Sequence, residues 1–416
     1  MNSLAHSKIL KEALNAIPNK YLEGIVFDSD TDLINKVGNY PDFFASPIRT
    51  DEGKAAIDPR WRDYSFFGLD SRADDLHSWL RLKLPKTKLI QHYLEAMIES
   101  LKNKQRTDFI KYTGCLSHFF GDTLQPAHLD IDSAMSLTME LLPVPDSMNN
   151  IGFNYHTRIE AVTGECSPLD APQIQGRSIQ EAAWRLNGRL RQGESYCRRF
   201  IVLIVQALFD NDQAEASAAA SIPLTAASQA TADAILTSLS LAGVLDASAN
   251  IVPDVVDLRD FRPDEEYQDM VYGAKAIIDG NRNARPNLME PVQPGKLNTQ
   301  NGITEFSGLG VLPHSGMDGP LESWMRWDLP ENTFHIFTSL VGMHAELGLA
   351  GAVEFELLVD DHLAWRSGRM LATDIAKKVE VNISNANSIT LKVVDANNRN
   401  TFWDNHAFWA EPQLVI

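Results

Sequence analysis

Apolar residues recur at helical spacing through the first 245 or so residues. Leu4, Ile9, Leu10, Leu14 and Ile17 share one face of an amphipathic helix at the start of the chain. The same period predicts helices over 86–104, 107–124, 178–210 and 226–241. The Ala/Ser-rich stretch 214–221 admits either a mobile loop or a helix end. The run IVLIVQALF at 201–209 is shorter than the roughly 18 apolar residues a membrane span needs, so it reads as a buried helix. At Pro253 the pattern changes. From about residue 291 the period becomes two, as in VEFELLV (353–359), KVEVNI (378–383) and ITLKVV (389–394). Turn residues at 384–387 and 396–400 separate these runs. Short, regularly spaced strands predict an antiparallel sandwich. The expected architecture is therefore a mostly all-α domain over 1–250 followed by an all-β sandwich over 255–416, with no internal repeat.

Length supports two domains, because 416 residues exceed what one core usually organises. The net charge of −18, with no Lys/Arg-rich block, disfavours a nucleic-acid partner. The N-terminal segment shows neither the apolar core nor the cleavage site of a signal peptide. Three routes stay open: a cytoplasmic protein, export without such a signal, or a leader already removed. Cys115, Cys166 and Cys197 have no metal-binding spacing, and an odd count cannot be fully paired, so buried free thiols are expected.

Histidine placement changes the picture most. Six of the eleven histidines lie within the first 156 residues. His118 and Asp122 are four apart in HFFGD, and His156 and Glu160 are four apart in HTRIE. On a helix such residues project side by side, about 6 Å apart, and can close on one ion. Pro126 stops the first helix, which lets the chain turn His128 back towards it. Imidazole and carboxylate together suit zinc, and a site of two or three zinc ions is a hydrolytic centre. One such pair alone is more often a surface contact; two pairs, His128 and the Pro41–Asp42 turn together point to metal. His6, Asp42 and His77 stand isolated in sequence, and His92 reads as a surface or core-edge residue.

These motifs, in the order LAHSKILKEAL, NYPDFFA, DDLHSWL, LSHFFGDTLQPAHL and YHTRIEAV, resemble the zinc-dependent phospholipase C and single-strand nuclease superfamily over residues 1 to 240. The H-x3-D-x5-H element is the most specific of them. The resemblance implies a helical fold with zinc in a cleft. Asp42, His77, His118 and Asp122 would serve one ion, and His128, His156 and Glu160 a second. His6 and Asp122 would serve a third, and Asp42 is also the candidate general base. The family ligates its third zinc with the amine and carbonyl of an N-terminal Trp; here Met1 stands in that place. Met1 either joins His6 and Asp122 on a third ion or frays into solvent while His6 packs its helix.

Glu160 resembles the phospholipase branch, since the nucleases tend to carry Asp there. Phe43, Tyr64, Phe66 and Phe67 would then wall a quaternary ammonium head group, unless they are core. A second resemblance covers residues 255 to 416. FSGLGVLPHSG, FTSLVGMHAELG, VEFELLVDDHLAWRSGRM and TFWDNHAFWAEPQLVI resemble the NPCBM carbohydrate-binding modules, which have a galactose-binding-like jelly roll. Trp365, Trp403 and His406 are candidates for stacking on sugar, and Trp409 is assigned to the core.

The expected function is zinc-dependent hydrolysis of a phospholipid at a membrane surface to diacylglycerol and a phosphorylated head group, with carbohydrate bound by the second domain. The expected setting is secreted or exported. A nuclease with the same cluster, or a glycan-binding protein with a vestigial metal site, are the competing expectations.

Overall fold

The computed structural model describes residues 3–39, 41, 48–49, 55–56, 86–126, 155–197, 200–245, 252–267, 277–278, 295–311, 322–347, 349–397 and 404–416. The chain divides into two compact units, Met1–Val252 and Pro253–Ile416.

The first unit is helical. Besides the single turn Asn19–Leu22, its described helices are α1 (Ser3–Ala16), α2 (Thr31–Val37), α3 (Lys86–Lys102), α4 (Arg106–Leu124), α5 (Tyr155–Ala161), α6 (Ile179–Cys197), α7 (Phe200–Phe209) and α8 (Gln213–Leu241). The Ala/Ser stretch at 214–221 forms the first turns of α8, whose N-cap Asp212 accepts a bond from the Glu215 amide at 2.9 Å. The apolar face read for α1 is the buried one, with Ile9, Leu10, Leu14 and Ile17 in the core. It packs against α8, α4 and α2.

Helix α4 is central to this unit. From Thr113 to Leu124 every residue is buried, including His118 and Asp122. It stops where Pro126 lies one residue ahead. The ring of a proline disfavours helical backbone in the residue before it, and Gln125 is extended, with φ −68° and ψ 121°.

An extended strap, residues 162–178, runs from α5 to α6 along α8. Its backbone amides have no sheet to pair with. Instead Asp170, Gln173 and Gln175 donate their N–H groups to Gln229, Asp233 and Thr237, at 3.1, 2.8 and 2.9 Å. These acceptors are four residues apart and lie along one face of α8. Lys8 of α1 donates to the Gly164 carbonyl at 2.7 Å, which fixes the start of the strap. Helix α5, which carries His156 and Glu160, is therefore tied down directly after its last residue.

The second unit is all β. One sheet has the order Lys377–Asn382, Ile336–Met343, Ala407–Val415, Gly308–Val311 and Ile277–Ile278, and Val255–Asp257 also pairs with Ala407–Val415. A second sheet has the order His362–Leu371, Ala352–Val359, Ser388–Asp395, Glu322–Asp328 and Glu265–Tyr267, and Gly295–Thr299 pairs with Gly302–Phe306 in a separate hairpin. From Gly308 onward the chain crosses repeatedly from one sheet to the other, which is the path of a jelly roll. Trp409 of the first sheet meets Phe355 of the second edge-on at 5.4 Å, so the core lies between them. Strands begin at Val255, well before residue 291. The early ones have two or three residues, too short for alternation to be seen in sequence. Pro412, which cannot donate to a ladder, follows Glu411 at φ 47°, where the pairing with Ile336–Met343 shifts by one residue.

Candidate metal centre

Three side chains from two distant parts of the sequence meet inside the helical unit. His118 and Asp122 lie one turn apart on α4, and His118 Nε2 is 3.1 Å from Asp122 Oδ2. His6 enters from α1, with Nε2 3.4 Å from Asp122 Oδ1. The two imidazoles stack, centroids 3.7 Å apart and planes 17° from parallel. His6 is fully buried, and the other two are 1% exposed. Each of the three offers a donor atom within 4.8 Å of those of the others.

The chemistry of this trio fits a metal ion. His118 Nδ1 lies 2.6 Å from the Gly38 carbonyl oxygen, which can only accept, so Nδ1 carries the proton and donates. Nε2, the nitrogen facing Asp122, is then the lone-pair donor, and a backbone acceptor behind a histidine is a common way of orienting a metal ligand. Neither ring nitrogen of His6 makes a well-formed hydrogen bond, although burying a polar group in that state is costly. Burial pushes the pKa of His6 down to about 3; the neighbouring His118 adds to the shift, and Asp122 opposes it. His6 is thus a neutral imidazole at physiological pH, the form that ligates metal. Buried polar side chains flank the two α4 ligands at Ser117, Thr123 and Gln125, and Asn39 follows Gly38. Polar residues seldom gather inside a core without a ligand or water to serve.

The other sequence-derived candidates fall differently. Met1, Asp42, His77 and His128 lie outside the described residues, as do the aromatics Phe43, Tyr64, Phe66 and Phe67 and the sandwich residue Trp403. His156 is placed by its backbone on α5, and its side chain lies outside the description. Glu160 is half-buried on the same helix. His92 is half-buried on α3, and burial lowers its pKa. In the sandwich, Trp365 is half-exposed and Trp409 is fully buried. His406 is 8% exposed, too little surface for a sugar to stack on, which corrects its assignment to sugar stacking. The Gly38 carbonyl was not anticipated, because backbone groups carry no residue signature.

Fold and site together define a helical unit with a buried His/His/Asp set suited to a divalent metal, followed by a β-sandwich. Residues 293–415 match the NPCBM/NEW2 domain. Solved structures similar to the chain include the CBM51-2 and INT domains of Clostridium perfringens ZmpB, at 20% identity and TM-score 0.32 over 39% of this chain and 31% of that one. The chain thus spans about a third of the length of that relative. A CBM51 from Clostridium perfringens GH95, in complex with methyl-galactose, aligns at 19% identity and TM-score 0.32, over 39% of this chain and 99% of that one. Clostridium perfringens alpha-toxin from avian strain SWCP aligns at 11% identity and TM-score 0.29, over 97% of this chain and 84% of that one. No curated protein matches the chain in sequence. At such identities and TM-scores the chemistry has to be argued from the residues. Among the described residues, no helix is long and apolar enough to cross a membrane.

Proposed function

We propose that the chain is a zinc-dependent phosphodiesterase of the phospholipase C type, acting on phospholipid at a membrane surface, and that its sandwich binds carbohydrate and targets the enzyme. The observation that carries it is the buried His6–His118–Asp122 set. Zinc supplies Lewis acidity towards a phosphodiester and a nucleophile at neutral pH. The chain's own residues prepare for it. Burial holds His6 neutral, the Gly38 carbonyl fixes the tautomer of His118, and the Asp122 carboxylate faces both rings. Asp42, His77, His128, His156, Glu160 and Met1 complete the donor set of two or three ions in this proposal, with Asp42 as general base. The NPCBM/NEW2 match over 293–415 supports a carbohydrate partner for the sandwich. A secreted or exported setting is part of the same proposal. The net charge of −18 favours phospholipid over a polyanion.

The test is zinc content by elemental analysis, together with turnover of a phosphatidylcholine mimic and of single-stranded DNA. At least two zinc per chain and hydrolysis of the mimic are expected. Less than one equivalent after zinc addition would remove the metal centre, and cleavage of DNA alone would make the chain a nuclease.

A further inference from the structure

His6 lies 112 residues before His118, and nothing in its own helix directs it onto α4. What permits the meeting is missing side chains. Helix α4 carries Gly121 between the two ligands' turns. A β-carbon built there would lie 3.1 Å from His6 Nδ1, 3.3 Å from His6 Cε1 and 3.1 Å from Ile9 Cδ1. Gly38, whose carbonyl orients His118, has a similar fit on the other partner. Its β-carbon would lie 3.1 Å from the backbone carbon of His6 and 3.2 Å from its oxygen. A third close contact lies on the same face of α4 two turns earlier. A β-carbon on Gly114 would meet Val37 of α2 at 2.5 Å, and no atom of His6 is among its nearest neighbours.

We infer that Gly121 and Gly38 are positioning residues for the metal centre: lacking β-carbons, they let α1 seat the His6 ring against His118 and Asp122 at ligating distance. The inference rests on the proposal that the trio holds zinc. The physical point is where the added atom would press. At Gly121 a methyl meets the edge of the His6 ring itself. The ring must give by a few tenths of an ångström, and with His118 stacked behind it at 3.7 Å and Asp122 at 3.4 Å any such shift changes the placing of Nε2 against the other two donors. At Gly38 a methyl meets the α1 backbone that carries the ring. The change at Gly121 bears on the His6 donor, and the change at Gly38 bears on His6 through its backbone and on His118 through the carbonyl that orients it. Groups that orient a metal ligand are typically worth about 10- to 100-fold in metal affinity.

The experiment measures zinc affinity of the metal-free full-length chain by competition with a chromophoric chelator, and the visible spectrum of the cobalt(II) form. Gly121→Ala is expected to weaken zinc binding about 10- to 100-fold and to alter the cobalt spectrum. Gly176→Ala, whose β-carbon would meet the Ala182 backbone nitrogen at 2.6 Å and has no atom of the trio among its nearest neighbours, should lower the melting temperature while leaving both metal readouts near those of the parent. The double variant Gly121→Ala/Ile9→Val removes Ile9 Cδ1 and so relieves the methyl's contact with Ile9 but not its contact with His6. It should bind zinc as weakly as Gly121→Ala. Recovery of affinity in the double variant, or parental affinity in Gly121→Ala, overturns the inference. A parent chain that takes up no zinc would instead overturn the metal proposal on which it rests.

Discussion

At the scale of single residues, another buried carboxylate of the helical unit has a different duty. Asp233 of α8 accepts from the Gln173 amide and from the Gln229, Gln175 and Arg189 side chains, and so anchors the middle of the strap. Burial nevertheless dominates and raises its pKa from the ordinary 3.8 to about 6; Asp170 adds to the rise, while the Gln173 amide, Arg189 and Gln229 oppose it. Between these two values the unfolded chain has lost the proton and the folded chain keeps it. The stability contributed by Asp233 is therefore full below about pH 3.8 and is lost as pH rises through about 6. Asp233→Asn removes that dependence. Urea midpoints measured at pH 4 and pH 7 should show the variant gaining on the parent as pH rises. An offset that stays constant with pH would mean that Asp233 does not titrate in this window.

At the scale of elements, the strap is held by contacts too close to tolerate larger residues. A β-carbon on Gly164 would lie 2.3 Å from both the Ser217 carbonyl oxygen and Ser221 Oγ, and 2.9 Å from the Ser221 amide. Two of these three atoms belong to the α8 backbone and cannot rotate away. Gly164→Ala should lift the strap from α8 and cost about 1–3 kcal/mol, read from a chemical denaturation midpoint. A change within 0.3 kcal/mol or so would show that the strap adapts and that its docking is not tight. Much at this scale was legible in the sequence. The apolar faces of α1 and α4, the stop before Pro126 and the strands around 353–359, 378–383 and 389–394 all follow from periodicity and turn chemistry. The strap was not legible, because its partners are helix side chains far along the chain and its own residues show no period.

At the scale of the whole molecule, each unit has a core of its own. The sandwich is organised around Trp409, which meets both Phe337 at 6.2 Å and Phe355 at 5.4 Å edge-on. A fragment of residues 253–416 is expected to fold alone, with β-type circular dichroism and a cooperative melt. In that fragment Trp409→Ala should cost about 3–5 kcal/mol, since it empties the volume of a fully buried tryptophan between the sheets. A fragment that shows no cooperative transition would mean the sandwich depends on the preceding residues.

What the sequence by itself determined was whatever is local. A period of 3.6 or 2 marks which face of a segment is apolar, and i,i+4 spacing places His118 and Asp122 side by side before any fold is known. The resemblance of motifs brought His6 into the same set, but its spacing could not: an isolated histidine in an amphipathic helix has the same sequence signature whether it is ligand or core. Tertiary structure alone decided that α1 lies against α4, that the His6 ring stacks on His118, and that the Gly38 carbonyl lies behind His118. The same limit applied to His406, whose burial in the fold its sequence neighbours do not announce. The reason is physical. Local preference is written in neighbouring residues, whereas close approach between distant elements depends on which side chains are small enough to let backbones meet.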